Sequence, residues 1–135
     1  MKRSTPALAA LTLLWGLAIP AQAGTPQTLL QKYRSRGAAS FSEARGRQLW
    51  QATHLDARSG RKRSCTTCHT TDLHRPGKHA RTGKVIQPMA PSVNPKRFTD
   101  ARKVEKWFKR NCKWTLGREC TPQEKGDILT FLISQ

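Results

Sequence analysis

An all-α fold is predicted by three observations on this chain. Four stretches carry apolar residues at helical spacing, no convincing period-two strand is present, and two long segments rich in Gly, Pro and charge read as loops. Those loops, residues 53–64 and 70–95, are longer than a compact domain usually tolerates without something to organise them. Between them lies the short segment CTTCH.

The four helices follow in order. TPQTLLQKYRS opens with Thr25 as N-cap and Pro26 at the first helical position. SFSEARGRQLWQ sets Phe41, Arg45 and Leu49 on one row and Gly46 and Trp50 on another. TDARKVEKWFKR is capped by Thr99 or Asp100, brings Val104, Trp107 and Phe108 together at i, i+3, i+4, and is expected to end at Arg110. TPQEKGDILTFLISQ begins with a capping box of Thr121 and Glu124, with Pro122 at N1. Its apolar stripe is Ile128, Leu129, Leu132 and Ile133, with Phe131 beside it. Internal repeats and low-complexity tracts are absent.

The first 23 residues read as a secretory signal peptide: Lys2 and Arg3, an apolar stretch from Ala7 to Pro20, then a small-x-small cleavage site at Ala21-Gln22-Ala23. The stretch is short for a membrane crossing. The expectation is an exported, periplasmic chain whose residues 24–135 form one domain. Without the leader, 23 basic residues face 8 acidic ones, a net charge of +15. Such a charge suits an anionic partner or simply a solvated surface. Export and the absence of a nucleic-acid motif argue against nucleic acid.

Four cysteines follow the leader: Cys65, Cys68, Cys112 and Cys120. In an oxidising compartment they allow three disulfide connectivities, and a Cys-x-x-Cys pair can also be a redox dithiol or half a zinc site. His69 directly after Cys68 gives the attachment signature of a c-type haem. Two thiols three positions apart reach the two porphyrin vinyl groups as thioethers, and the adjacent histidine becomes the proximal iron ligand. A zinc site needs a matched second half, which Cys112 and Cys120 do not make. With Cys65 and Cys68 taken by haem, Cys112 and Cys120 remain to pair with each other. A bridge closing that short loop contributes about 2.5 kcal/mol in the chain-entropy model.

A helix before CTTCH and a helix at the C-terminus, with haem between them, resemble the class I cytochrome c fold. That resemblance implies that Gly46 and Trp50 cross the last helix at Phe131 and Leu132. It also implies that the carbonyl of Pro88 accepts the ring N–H of His69 and so fixes the ring.

The iron's sixth position decides the function. Met89 is one candidate, giving a plain electron-transfer cytochrome c. However, next to Pro88 it falls on the proximal side and packs under the haem. His54, His74 and His79 are others, but each lies in a basic loop where histidines are ordinarily exposed. An enzyme such as a peroxidase normally uses a distal acid–base group, and the sequence places no histidine for it.

The blocks SCTTCH, RTGK, APS, RFTDARKVEKW, RNC and CTPQEKGDIL span most of residues 25–135, and those over residues 97–129 are the most specific. Together they resemble the sphaeroides haem protein family, small exported monohaem cytochromes c that bind oxygen. The resemblance implies that Asn111 is the distal ligand, directly before a Cys112–Cys120 disulfide. A hard amide donor suits ferric iron better than ferrous. Asn111 is therefore expected to leave on reduction, opening the site to O2, NO or CO. The resemblance also implies electron exchange with a di-haem cytochrome c or membrane cytochrome b. Basic residues beside the motif (Arg58, Arg61, Lys62, Arg63, Arg75, Lys78, Arg81 and Lys84) are expected to ring the haem edge and steer an acidic redox partner.

Overall fold

The structure, a computed structural model, describes residues 25–135; the leader expected over residues 1–23 lies outside the described residues. The helices are α1 (Thr25–Arg34), α2 (Glu43–Gln51), α3 (Thr66–His69), α4 (Ala101–Leu116) and α5 (Pro122–Ile133). Two antiparallel ladders interrupt the loops. One pairs β1 (His54–Leu55) with β2 (Lys62–Arg63), the other β3 (Gly77–Lys78) with β4 (Val85–Ile86). Two-residue strands are too short to leave an alternating pattern, which is why the sequence gives no sign of them.

The helix starts follow their side chains. Ser42 caps α2 by accepting from the Arg45 N–H, Asp100 caps α4 through Lys103, and Thr121 and Glu124 complete the capping box on α5. Thr25 does not cap α1. Its hydroxyl instead donates to the Thr99 carbonyl at 3.0 Å, tying α1 to the start of α4.

Helix α5 is the spine. Leu129 packs with Leu29 and Tyr33 of α1, while Ile128, Phe131 and Leu132 join Trp50 of α2, Leu73, Ala90 and the Cys112–Cys120 pair. Each fully buried aliphatic or aromatic side chain contributes about 2 kcal/mol. The α2–α5 crossing is so close that a Cβ on Gly46 would collide with the Asp127 carbonyl oxygen and with Phe131 Cβ. Only glycine lets the two backbones meet there. Trp50, one turn on, lies 6.3 Å from the Phe131 ring. The buried Asp127 carboxylate is held by Arg45 Nε at 3.0 Å, the Ser42 N–H at 2.7 Å and Gln123 Nε2 at 3.1 Å.

Candidate functional site

Helix α3 is a single turn, too short to be stable alone. It is held from below by β3, where a Cβ on Gly77 would strike the Cys68 carbonyl oxygen. The turn closes through the His69 N–H donating to the Cys65 carbonyl at 3.1 Å, and Thr70 then leaves the helix at φ 63°. Cys65 and Cys68 are free thiols, each partly buried. Burial pushes the Cys65 thiol up to about 11, and the Thr115 side chain of α4 pulls it part of the way back.

His69 lies 5.3 Å from the Trp50 ring. Burial, and then the charge of Arg97, lower its pKa to about 4. The imidazole is therefore neutral at neutral pH, the state in which it binds a metal. Its Nδ1 is buried without a hydrogen-bond partner. The carbonyl of Pro88 accepts from Asn94 Nδ2 at 3.0 Å and Arg97 Nε at 2.7 Å. With both lone pairs occupied, it forms no bond to His69, contrary to the expectation for Pro88. Met89 packs against the core of Trp50, Leu73 and Ala90, and its N–H donates to the Leu73 carbonyl at 2.9 Å. That bond ties Met89 to the segment just after His69.

Asn111 does not end a helix. Helix α4 runs through it to Leu116 and stops at Gly117, whose φ of 75° is the left-handed C-cap conformation. The signal was present in the sequence, as Gly117 follows the last apolar residue. Asn111 is half-buried, and its side-chain amide makes no hydrogen bond to a described residue. Trp107 and Trp114, at i−4 and i+3, flank it and remain 44% and 36% exposed. The next residue, Cys112, is bridged to Cys120 with a Cα separation of 5.5 Å. Thr115, four residues on from Asn111, is the α4 residue that acts on Cys65.

The histidines divide differently from the sequence expectation. His74 is exposed beside Asp72, with Nδ1 at 3.4 Å from the carboxylate, and His79 Nδ1 accepts from the Thr82 N–H at 3.1 Å. His54 is half-buried, and its Nε2 is shielded from solvent with no hydrogen-bond partner. Sequence reasoning set it aside because Thr53 and the charged residues after it read as loop. Arg63 also leaves the basic ring. It pairs with Asp56 at 2.7 Å, donates to the Trp114 carbonyl at 3.0 Å and stacks 4.7 Å over the Trp114 ring. The other seven basic residues of the two loops are exposed.

These features fit a covalent haem. Two free thiols sit on one helical turn, and a buried neutral imidazole follows them. Three buried ring nitrogens, on Trp50, His54 and His69, have no protein partner. Among the described residues, no group of three or more His, Cys, Asp or Glu is assembled to hold a bare metal ion. Cys65 and Cys68 would carry the haem as thioethers, and His69 would bind its iron.

Residues 36–132 match the family described as "Domain of unknown function (DUF1924)". The cytochrome c-type protein SHP of Cereibacter sphaeroides is 46% identical over 121 residues, covering 88% of this chain and 92% of the relative. Cytochrome c'' of Methylophilus methylotrophus is 44% identical over 77 residues, covering 57% of this chain and 54% of the relative. Among solved structures, oxidised SHP, an oxygen-binding cytochrome c, superposes with a TM-score of 0.74 at 44% identity, covering 83% of this chain and 98% of that one. Oxidised cytochrome c'' gives 0.71 at 34% identity, covering 82% and 94%. The chain belongs to the sphaeroides haem protein family of class I cytochromes c, whose cofactor is a single covalent haem c.

Proposed function

We propose that the chain is an exported cytochrome whose ferric haem iron is held by His69 and Asn111, and that Asn111 lets go on reduction. The haem supplies a one-electron couple and, with the sixth position open, a site for O2, NO or CO. The solved relative SHP is an oxygen-binding cytochrome c, and the solution structure of cytochrome c'' bears on haem-ligand detachment.

One observation carries the reading. Asn111 is half-buried and its amide makes no hydrogen bond to a described residue, on the face of α4 whose next turn meets Cys65 through Thr115. A neutral amide is a weak ligand, so its hold on iron depends on being positioned in advance. The rigid middle of α4 and the bridge at Cys112 supply that. Met89, tied to Leu73 beside the proximal segment, is the less suitable ligand.

The exposed cations of the two loops would steer an acidic redox partner, such as a di-haem cytochrome c or a membrane cytochrome b, towards the haem edge. Among the described residues, no helix is long and apolar enough to cross a membrane.

The test is absorption spectroscopy of the holoprotein, oxidised and reduced, before and after carbon monoxide. A high-spin ferrous form that takes up carbon monoxide at once is expected. An Asn111→Ala variant should keep its covalent haem but be high-spin in both oxidation states. A sharp low-spin ferrous spectrum indifferent to carbon monoxide would mean a permanent sixth ligand and a plain electron carrier.

A further inference from the structure

His54 is half-buried, and its buried Nε2 is left without a task by the reading above. Its Cα partner across the β1–β2 ladder is Arg63, and directly paired residues of antiparallel strands project their side chains to the same face. The Arg63 guanidinium lies on Trp114 and bonds its carbonyl, so that face is turned towards α4. Trp114 is one turn from Asn111, and Arg63 is two residues before Cys65. His54 is thus set between the first haem-attachment cysteine and the stretch of α4 that carries Asn111. A buried imidazole nitrogen without a partner is costly to keep, and native proteins seldom leave one so. His74 and His79 do not share this position, since one faces solvent beside Asp72 and the other is bonded within its own turn.

We infer that His54 is a distal-pocket positioning residue whose Nε2–H donates a hydrogen bond to the group in the sixth position of the haem iron. The occupant would be the Asn111 amide in the ferric state and a diatomic molecule in the ferrous state. A donor at this point favours ligands that gather negative charge on binding, such as O2, over carbon monoxide. The inference rests on the proposed opening of the sixth position for its gas-binding half only.

Two measurements on the holoprotein test it. The first is the infrared C–O stretch of the dithionite-reduced carbon monoxide complex in wild type, His54→Leu and His54→Gln. His54→Leu should raise the frequency and release O2 about fivefold faster, the size of one net hydrogen bond, and His54→Gln should restore much of both. The second is the side-chain 15N spectrum of histidine-labelled protein, with His54 assigned by its loss in His54→Gln. Proximity to the iron requires its resonances to be shifted or broadened in the ferric state relative to the ferrous.

An unchanged stretch in His54→Leu overturns the inference, and so does a His54 resonance indifferent to oxidation state. If wild-type ferrous protein refuses carbon monoxide, the opening of the sixth position fails. The nitrogen spectrum then decides His54 by itself. A His54→Leu variant that turns high-spin in the ferric state would make His54 the ligand rather than its neighbour, and would also overturn the inference.

Discussion

The α2–α5 crossing and the α3–α4 face are built on opposite terms. At the crossing the buried carboxylate is answered by protein. Asp127 takes bonds from Arg45, Ser42 and Gln123, and the backbones meet directly at Gly46. Around α3 the ring nitrogens of Trp50, His54 and His69 are buried without partners, and the amide of Asn111 makes no hydrogen bond to a described residue. One region is held by its own side chains, and the other keeps polar groups that a haem there would meet. Stability is concentrated in the first and chemistry in the second. Substitutions should therefore separate the two by what they change.

The largest effect is expected at Gly46. Gly46→Val forces the α2 and α5 backbones apart and should cost about 3 kcal/mol, read as a lower denaturation midpoint of the holoprotein. Replacing Cys112 and Cys120 together by serine should cost about 2.5 kcal/mol in unfolding. It should also weaken the ferric low-spin signal, since the restraint beside Asn111 is lost. A change in stability with an untouched ferric spectrum would assign the bridge to the scaffold alone.

Asp127→Asn should cost about 2 kcal/mol, because Arg45 and the Ser42 N–H lose a charged acceptor. Burial alone would raise the Asp127 pKa, but the bonds from Arg45, Ser42 and Gln123 outweigh it and hold the carboxylate below its ordinary value. Its contribution is therefore fully present above about pH 4, the unfolded value, and is lost as pH falls through the lower folded value. Acid titration of the wild type should show this loss, and Asp127→Asn should flatten it. Smallest is Thr121→Ala, which removes half of the α5 capping box and should cost about 1 kcal/mol by the same denaturation measurement.

Much of this was legible beforehand. The α4 cap at Thr99 or Asp100, the Thr121 capping box and the CTTCH turn rest on residues close in sequence, where spacing carries the information. The crossing of Gly46 and Trp50 over the last helix followed from the resemblance to the class I cytochrome c fold. Two readings differ from the structure. Helix α4 looked complete at Arg110 because an asparagine and a cysteine followed, yet its apolar face continues through Cys112, Thr115 and Leu116 to Gly117. The Pro88 carbonyl was assigned to His69, but Arg97 and Asn94 fold back onto it from a later loop.

The sequence by itself determined the CTTCH turn and the helical class, which depend on residue identity at short spacing, and the family, through blocks that resemble it along most of the chain. Only the tertiary structure decided that Arg63 clamps Trp114 instead of joining the charged rim, and that the His54 Nε2 is shielded from solvent. A histidine or arginine in a polar loop has the same local sequence whether solvent or a helix covers it. Burial is settled by what packs from elsewhere in the chain, and no local spacing records it.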